Sequence, residues 1–158
     1  MQTPENSPLF NIADYLIQTN QNRLERLAYI DGKGTLTYEA LFDKVRRLSA
    51  VLKKLGVHRE ERVLLLMNDC TDWPVAFLGA IHAGIVPVAI NTLLKPQDYK
   101  YIIEDSRCQA ALVSASLLPV LTEAMSEAEH EIKHILVSRP QGELPQGQLN
   151  LDEALAAA

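Results

Sequence analysis

The chain has 158 residues, of which 47% are hydrophobic and 22% charged, and its formal net charge at pH 7 is −5. This length and balance are typical of one globular domain that buries its own core. The acidic balance, without a run of lysine or arginine, argues against a nucleic-acid interface, which needs a basic face. The polar start MQTPENSPLF does not resemble a signal peptide, and no apolar run reaches the ~18 residues of a membrane span.

The first elements in the chain are predicted to be a short helix and a hairpin. Residues 11–20 (NIADYLIQTN) predict a helix with Ile12, Tyr15 and Leu16 on its buried side. Two short runs rich in β-forming residues then flank the turn sequence DGKG at residues 31–34, which predicts a hairpin. The two glycines of this turn do not make a phosphate loop, because no third glycine and no helix directly follow them.

A longer helix follows the hairpin and gives the clearest periodic signal in the chain. Thr37 is a predicted N-cap, and Gly56 lies just past the predicted end, where a left-handed residue belongs. Apolar residues recur every three or four positions between these limits, which is the spacing of one helical face. They are Tyr38, Leu41, Val45, Leu48, Leu52 and Leu55. The pattern predicts a helix packed on a core, since a coiled coil would need more heptads.

Beyond Gly56, short apolar runs alternate with helical patterns. Four runs are predicted to be strands: residues 63–67 (VLLLM), 86–90 (VPVAI), 110–113 (AALV) and 135–137 (ILV). The intervening helices are predicted to begin at Asp72 as N-cap, at Pro96, and at Ser114 or Ser116. This alternation predicts an α/β fold, with a parallel sheet covered by helices on both faces and a short β-hairpin before it.

Residues 130–134 read HEIKH, which has the spacing of a zinc-peptidase motif. Two histidines at this spacing share a face only if one helix continues through both. Here a helix is predicted to end near residue 129, and His134 is predicted to begin a strand. No third ligand is evident either. We therefore interpret His130 and His134 as solvated residues and expect no zinc site.

The two cysteines, Cys70 and Cys108, lie far apart in the sequence and form no CxxC pair. Isolated thiols of this kind are typical of a reducing compartment, which predicts a cytoplasmic protein. Neither cysteine has a histidine next to it in the sequence. Both are interpreted as small, inert, buried side chains.

The segment INTLLKPQD, residues 90–98, gives the main binding-site signal. Asn91 follows a predicted buried strand directly, with Thr92 and Lys95 after it. Ligands of open parallel sheets bind beyond the carboxyl ends of the strands, so these residues predict a site at that edge. Ordinary loop chemistry also explains the same residues, and it is the more common explanation of such a pattern.

Several segments within residues 36–113 resemble the N-terminal region of the acyl-adenylate-forming ligases. In chain order they are LTYEAL, LGV followed by RV, AFLGAIHAGIVPVAINTLL, and YIIEDS. The opening NIADYLI and the segments VAFLGA and PVAINTLL are most similar to the benzoate-CoA ligase group of that superfamily. The resemblance implies that residues 1–158 are the N-terminal part of a large adenylation domain, with residues 139–158 as a loop and the start of a linker.

The resemblance also implies a chemistry. An aromatic carboxylate, benzoate or a substituted benzoate, would attack the α-phosphate of ATP with the help of Mg²⁺, which releases pyrophosphate and forms an acyl-adenylate. Coenzyme A would then displace AMP from the acyl-adenylate to give the thioester. The family's phosphate loop (Ser/Thr-Ser-Gly-Thr-Thr-Gly-x-Pro-Lys) and its C-terminal lysine are absent from this sequence. We therefore expect an N-terminal fragment without activity of its own and without catalytic or metal-binding residues.

Relatives often place basic residues that contact coenzyme A near INTLL and YIIEDS. Here Leu93 stands where an arginine is frequent, which leaves Asn91, Lys95 and Lys100 as candidates for the coenzyme A side. The alternative is a stand-alone binding or regulatory module of the same ancestry. The sequence leaves open whether the protein forms a homodimer.

Overall fold

A computed structural model describes residues 10–158 as a five-stranded parallel sheet with helices on both faces, after a separate antiparallel hairpin. The predicted fold class is confirmed. In chain order the elements are α1 (Ile12–Thr19), β1 (Leu27–Asp31), β2 (Gly34–Thr37), α2 (Tyr38–Lys54), β3 (Arg62–Leu66), α3 (Asp72–Ala83), β4 (Val86–Ala89), α4 (Pro96–Ser106), β5 (Ala110–Ser114), α5 (Leu118–Glu127), β6 (His134–Ser138), β7 (Gln148–Asn150) and α6 (Leu151–Ala156).

The strand order in the sheet is β4-β3-β5-β6-β7, and every neighbouring pair is parallel. Strands β3 and β5 lie inside the sheet, and both are covered on both faces. Strand β4 lies at an edge, and its Val86 is 46% exposed. Asn91 therefore does not follow a fully buried strand, contrary to the prediction. Pro87 fits the edge position because proline has no N–H to donate to a second neighbour.

Two apolar cores lie on opposite faces of this sheet. Successive side chains of a strand point to opposite faces, so Leu65 enters one core and Leu64 the other. The first core is closed by α1, α2, α3 and α6, and the second by α4 and α5. Each of these helices thus buries one face in one of the two cores.

The long helix α2 forms as its sequence predicts. Thr37 Oγ1 accepts a hydrogen bond from the Ala40 N–H at 3.2 Å, which caps the N-terminus. The central part of the predicted stripe is buried, and Leu48 is fully inaccessible. Gly56 has φ +81°, the left-handed conformation that glycine adopts without strain.

The buried face of α1 differs from the prediction. Ala13 and Ile17 are buried, whereas Ile12 is 42% and Tyr15 is 37% exposed. Asn11 explains this rotation of the helix. Its side-chain oxygen caps α1 by accepting from the Ala13 N–H at 3.0 Å, and its amide nitrogen donates to the Ile81 carbonyl on α3 at 2.7 Å.

The last twenty residues, expected to be a loop and the start of a linker, contain the fifth strand and a helix. Strand β7 pairs with β6, and α6 packs against α2. Leu151 and Leu155 of α6 are buried in the first core. A three-residue strand with polar residues has no apolar periodicity, so no pattern in the sequence predicts it. No helix within residues 10–158 is long and apolar enough to span a bilayer.

Candidate functional site

The winding of the sheet reverses direction between β3 and β5. The chain leaves β3 through α3 on one face to reach β4, and leaves β5 through α5 on the other face to reach β6. Because the two loops depart to opposite faces, a crevice opens between the carboxyl ends of these two strands. Open α/β sheets bind ligands at this kind of topological switch point. The geometry therefore points to a candidate site here, in addition to the one predicted from the sequence beyond β4.

A cleft of about 230 Å³ lies at this position, and we call it the switch-point cleft. Its walls come from the last residues of β5 and β6, from the segments that follow β3, β5 and β6, and from the hairpin turn. They are Lys33, Asn68, Asp69, Cys70, Ser114, Ala115, Ser116, Ser138, Arg139 and Gln141. Most of these side chains are polar.

Asn68 joins the ends of β3 and β5 across the cleft. Its backbone N–H donates to Ser114 Oγ at 3.0 Å, and its side-chain amide donates to Ser116 Oγ at 2.9 Å. A serine hydroxyl can accept hydrogen bonds while donating its own proton. Neither hydroxyl donates to another group within residues 10–158, so both keep a donor for a ligand.

Arg139, just past β6, contacts three residues in two other parts of the chain. Its Nη2 donates to Asp31 Oδ2 at 2.6 Å and to Thr71 Oγ1 at 2.8 Å, and its Nε donates to Asp72 Oδ2 at 3.1 Å. The backbone of Arg139 has φ +56°, which costs free energy in a residue other than glycine. These three contacts hold the residue in that conformation.

Asp72 is not the N-cap that the sequence predicted. It is the first residue of α3, and Thr71 precedes the helix without a side-chain capping bond. The carboxylate of Asp72 is buried and accepts from Ser138 Oγ at 2.7 Å as well as from Arg139. A buried carboxylate needs charged or polar partners, and the end of β6 supplies them.

Asp31 fixes the hairpin turn to the sheet through both of its carboxylate oxygens. One oxygen accepts from the backbone N–H groups of Lys33 and Gly34 at 2.7 and 3.0 Å, and the other accepts from the Thr71 N–H at 2.8 Å and from Arg139. The Thr71 N–H, then the Arg139 guanidinium and the Lys33 N–H, hold the pKa of Asp31 well below its usual range. Asp31 is therefore ionised at neutral pH.

The three residues predicted from the sequence lie outside this cleft. Asn91 shapes its own turn, since its Oδ1 accepts from the Leu93 N–H at 2.9 Å and its carbonyl accepts from the Tyr99 hydroxyl at 3.0 Å. Lys95 is exposed at the start of α4. Lys100 lies further along that helix and pairs with Glu104, whose pKa is lowered mainly by that hydrogen bond. The structure brings Asn91 and Lys95 to one turn and leaves Lys100 engaged elsewhere.

The HEIKH segment spans a helix-to-strand junction, as predicted. Helix α5 ends at Glu127, the residues before His134 are not helical, and His134 begins β6. No group of three His, Cys, Asp or Glu side chains within residues 10–158 is arranged to hold a metal ion. That the protein binds no zinc stays a prediction.

The two cysteines have different environments. Cys108 is fully buried, and burial raises the pKa of its thiol, which agrees with an inert core residue. Cys70 is only half-buried and lines the switch-point cleft. The prediction of two buried cysteines therefore holds for Cys108 alone.

The family of AMP-binding enzymes matches residues 16–156 of this chain. The chain belongs to that family. It is 38% identical over 149 residues to the 4-hydroxybenzoate–CoA/benzoate–CoA ligase of Rhodopseudomonas palustris, an alignment that covers 93% of this chain and 27% of the relative. It is 39% identical over 137 residues to the benzoate–CoA ligase of Thauera aromatica, covering 85% of this chain and 26% of the relative.

Solved structures agree with these sequence similarities. A benzoate CoA ligase from Burkholderia xenovorans superposes with a TM-score of 0.84 and 42% identity, over 95% of this chain and 29% of that one. The anthranilate CoA ligase AuaEII, solved with anthranoyl-AMP, gives a TM-score of 0.89 and 27% identity, over 99% and 30%. The chain thus spans about a quarter of the length of the curated relatives described above.

Proposed function

We propose that this chain is the N-terminal quarter of an ATP-dependent acid–thiol ligase that converts benzoate or a substituted benzoate to its coenzyme A thioester. The similarity to two aryl–CoA ligases, at 38% and 39% identity over most of this chain, carries the proposal. The reaction would pass through an acyl-adenylate, which turns an unreactive carboxylate into a group that a thiol can displace. The setting would be cytoplasmic.

In that ligase the nucleotide chemistry would belong to the rest of the protein. The sequence has no phosphate loop, and residues 10–158 offer no cluster of three metal-ligating side chains. Mg²⁺, when bound with ATP, would neutralise phosphate charge, and we assign no residue of this chain to it. What these residues would supply is a parallel sheet with an apolar core on each face, which supports the neighbouring parts of the enzyme.

The experiment compares the 158-residue chain with the product of a longer reading frame, if one continues past Ala158. Each protein receives benzoate, ATP and Mg²⁺, and pyrophosphate release is measured before and after coenzyme A is added. We expect turnover from the long protein and none from the 158-residue chain. Pyrophosphate release by the short chain, free of the long one, would contradict the proposal. A natural frame that ends at Ala158 would support the alternative of a stand-alone module.

Within the proposed ligase, Lys95 is the better of the two lysine candidates for holding coenzyme A phosphates. It is exposed at the start of α4, beside the end of β4, and forms no ion pair within residues 10–158. Lys100 is already neutralised by Glu104. A free ammonium suits a phosphate as a compact point charge.

Replacing each lysine by alanine in the long protein tests this assignment. Lys95→Ala should raise the KM for coenzyme A and leave pyrophosphate release unchanged. Lys100→Ala should have a smaller effect. The effect of Lys95→Ala should shrink with added salt, because an exposed contact is screened. Lys54→Ala, at an exposed position near the end of α2, is the matched control. Unchanged coenzyme A dependence of Lys95→Ala at low salt would refute the role.

A further inference from the structure

We propose that the switch-point cleft binds a small oxyanion, with Lys33, Ser114 and Ser116 as its ligands. The first support is its place in the fold. The cleft lies between the ends of β3 and β5, where the winding of the sheet reverses. The proposal concerns the 158-residue chain itself and does not depend on the activity of a longer ligase.

The second support is the pair of serine hydroxyls at the end of β5. Asn68 donates to both of them, at 3.0 Å to Ser114 and at 2.9 Å to Ser116. These bonds occupy an acceptor position on each oxygen and leave the O–H free to donate. Two hydroxyl donors that line the same cleft suit an oxyanion, whose oxygens only accept.

The third support is the charge at the hairpin turn. Lys33 lines the cleft and forms no ion pair within the part of the chain that the structure describes. Its position is set by Asp31, which accepts from the Lys33 N–H at 2.7 Å and is itself held by Arg139. The guanidinium of Arg139 is already committed to Asp31 and Asp72, which leaves Lys33 as the cation available to a ligand.

Two features limit the ligand. The cleft, about 230 Å³, is below the ~300–1,000 Å³ of pockets for drug-sized molecules, so a small anion fits best. Asp69 also lines the cleft and is exposed, and its carboxylate opposes an anion. We therefore expect weak binding of a phosphate or of a compact carboxylate.

The test is a nuclear magnetic resonance titration of the ¹⁵N-labelled 158-residue chain at constant ionic strength. Inorganic phosphate is the probe in one arm and benzoate in the other, with chloride as the exchanged anion. We expect saturable shifts of the amide signals of Lys33, Cys70 and Ser116 in at least one arm. The titration in which the shifts saturate shows whether the cleft prefers phosphate or a carboxylate.

Variants then distinguish specific binding at the switch-point cleft from nonspecific electrostatic attraction of anions. Lys33→Met should weaken binding about threefold, the value of one exposed charged contact. Ser116→Ala removes one of the two hydroxyl donors and should weaken binding by a similar factor, about threefold. Both positions are exposed, so both variants should fold. Lys54→Met removes an equally exposed charge from α2 and should leave binding unchanged. Shifts that stay linear in both arms, or an affinity that Lys33→Met leaves intact, would overturn the proposal.

Cysteine reactivity gives an independent readout of the same site. Cys70 lines the cleft, and the fully buried Cys108 serves as an internal reference that should not react in the folded chain. The saturating anion should slow the reaction of Cys70 with a thiol reagent, and Lys33→Met should reduce that protection. Equal protection in wild type and Lys33→Met would count against the site.

Discussion

At the scale of single residues, the chain depends on a few polar side chains that join distant segments. One carboxylate oxygen of Asp31 accepts hydrogen bonds within the hairpin turn, and the other accepts hydrogen bonds from the Thr71 N–H and from Arg139. The side chain is only 10% exposed in the ion pair with Arg139. One carboxylate therefore connects β1, the loop before α3 and the end of β6.

Asp31 should make the free energy of unfolding depend on pH in the acid range. Its pKa is lowered in the folded chain, so its contribution is complete above the ordinary aspartate pKa and is lost as pH falls toward the lowered value. Asp31→Asn should lower the free energy of unfolding at pH 7, and the gap to wild type should narrow below about pH 4. Urea unfolding between pH 7 and pH 3 measures this gap.

The control for that experiment is Asp152→Asn, which removes an exposed ion pair with Lys44. Exposed pairs contribute about 0–1 kcal/mol, so this variant should stay close to wild type at every pH. A gap between Asp31→Asn and wild type that is constant from pH 7 to pH 3 would show that Asp31 acts without its charge.

The residues of the cleft could not be chosen from the sequence, although each lies at or just after the end of a strand. Asn68, Ser114 and Arg139 come together because β3, β5 and β6 are neighbours in the sheet. The sequence predicted the strands themselves, but not their order. Asn91 was chosen by the same rule of strand ends, and it falls at the edge because β4 has a neighbour on one side only.

At the scale of elements, the crossing of α2 and α3 depends on one glycine. A Cβ added to Gly79 would lie 2.7 Å from Leu48 Cδ2 and 2.9 Å from Leu48 Cβ. Leu48 is fully buried and central in the stripe of α2. The two helices approach this closely because position 79 has no side chain.

Gly79→Ala should therefore destabilise the chain even though alanine favours helix. Overpacking of this kind costs about 1–3 kcal/mol. Leu48→Ala should cost about 2–5 kcal/mol through lost burial and a cavity. In the double variant the contact with Leu48 Cδ2 is gone while the Cβ of residue 48 stays close to the new methyl group, so the overpacking is partly relieved and the two single costs should sum to more than the measured total.

Urea unfolding of the two single variants and the double variant gives the coupling between these positions. Additive costs would show that α2 and α3 shift apart without contact between the two side chains. The apolar stripe of α2 was predictable from the spacing of three or four residues between its apolar side chains. The role of Gly79 was not, because a glycine inside a helix gives no indication of which neighbouring helix approaches it.

At the scale of the whole molecule, the two cores share the same central strands. Leu64 and Leu65 are adjacent in β3, and they belong to opposite cores. The helical spacing of apolar residues and the alternation of strand and helix patterns in the sequence predicted a sheet covered on both faces. They did not predict that residues 148–156 complete the sheet and the first core, because those residues are few and largely polar or small.

Shared strands should make the two cores unfold together. Trp73 stacks on Phe77 with ring centroids 5.1 Å apart and packs against the first core, so its fluorescence reports that side of the sheet. Leu64→Ala removes a fully buried side chain from the second core and should cost about 2–5 kcal/mol. Because β3 belongs to both cores, this variant should shift the Trp73 transition as far as it shifts the loss of helix followed by circular dichroism.

Leu65→Ala, in the core that Trp73 reports, is the matched control and should shift both signals together as well. If Leu64→Ala moved the circular dichroism transition and left the Trp73 midpoint in place, the two faces would unfold separately and the sheet would not act as one cooperative unit.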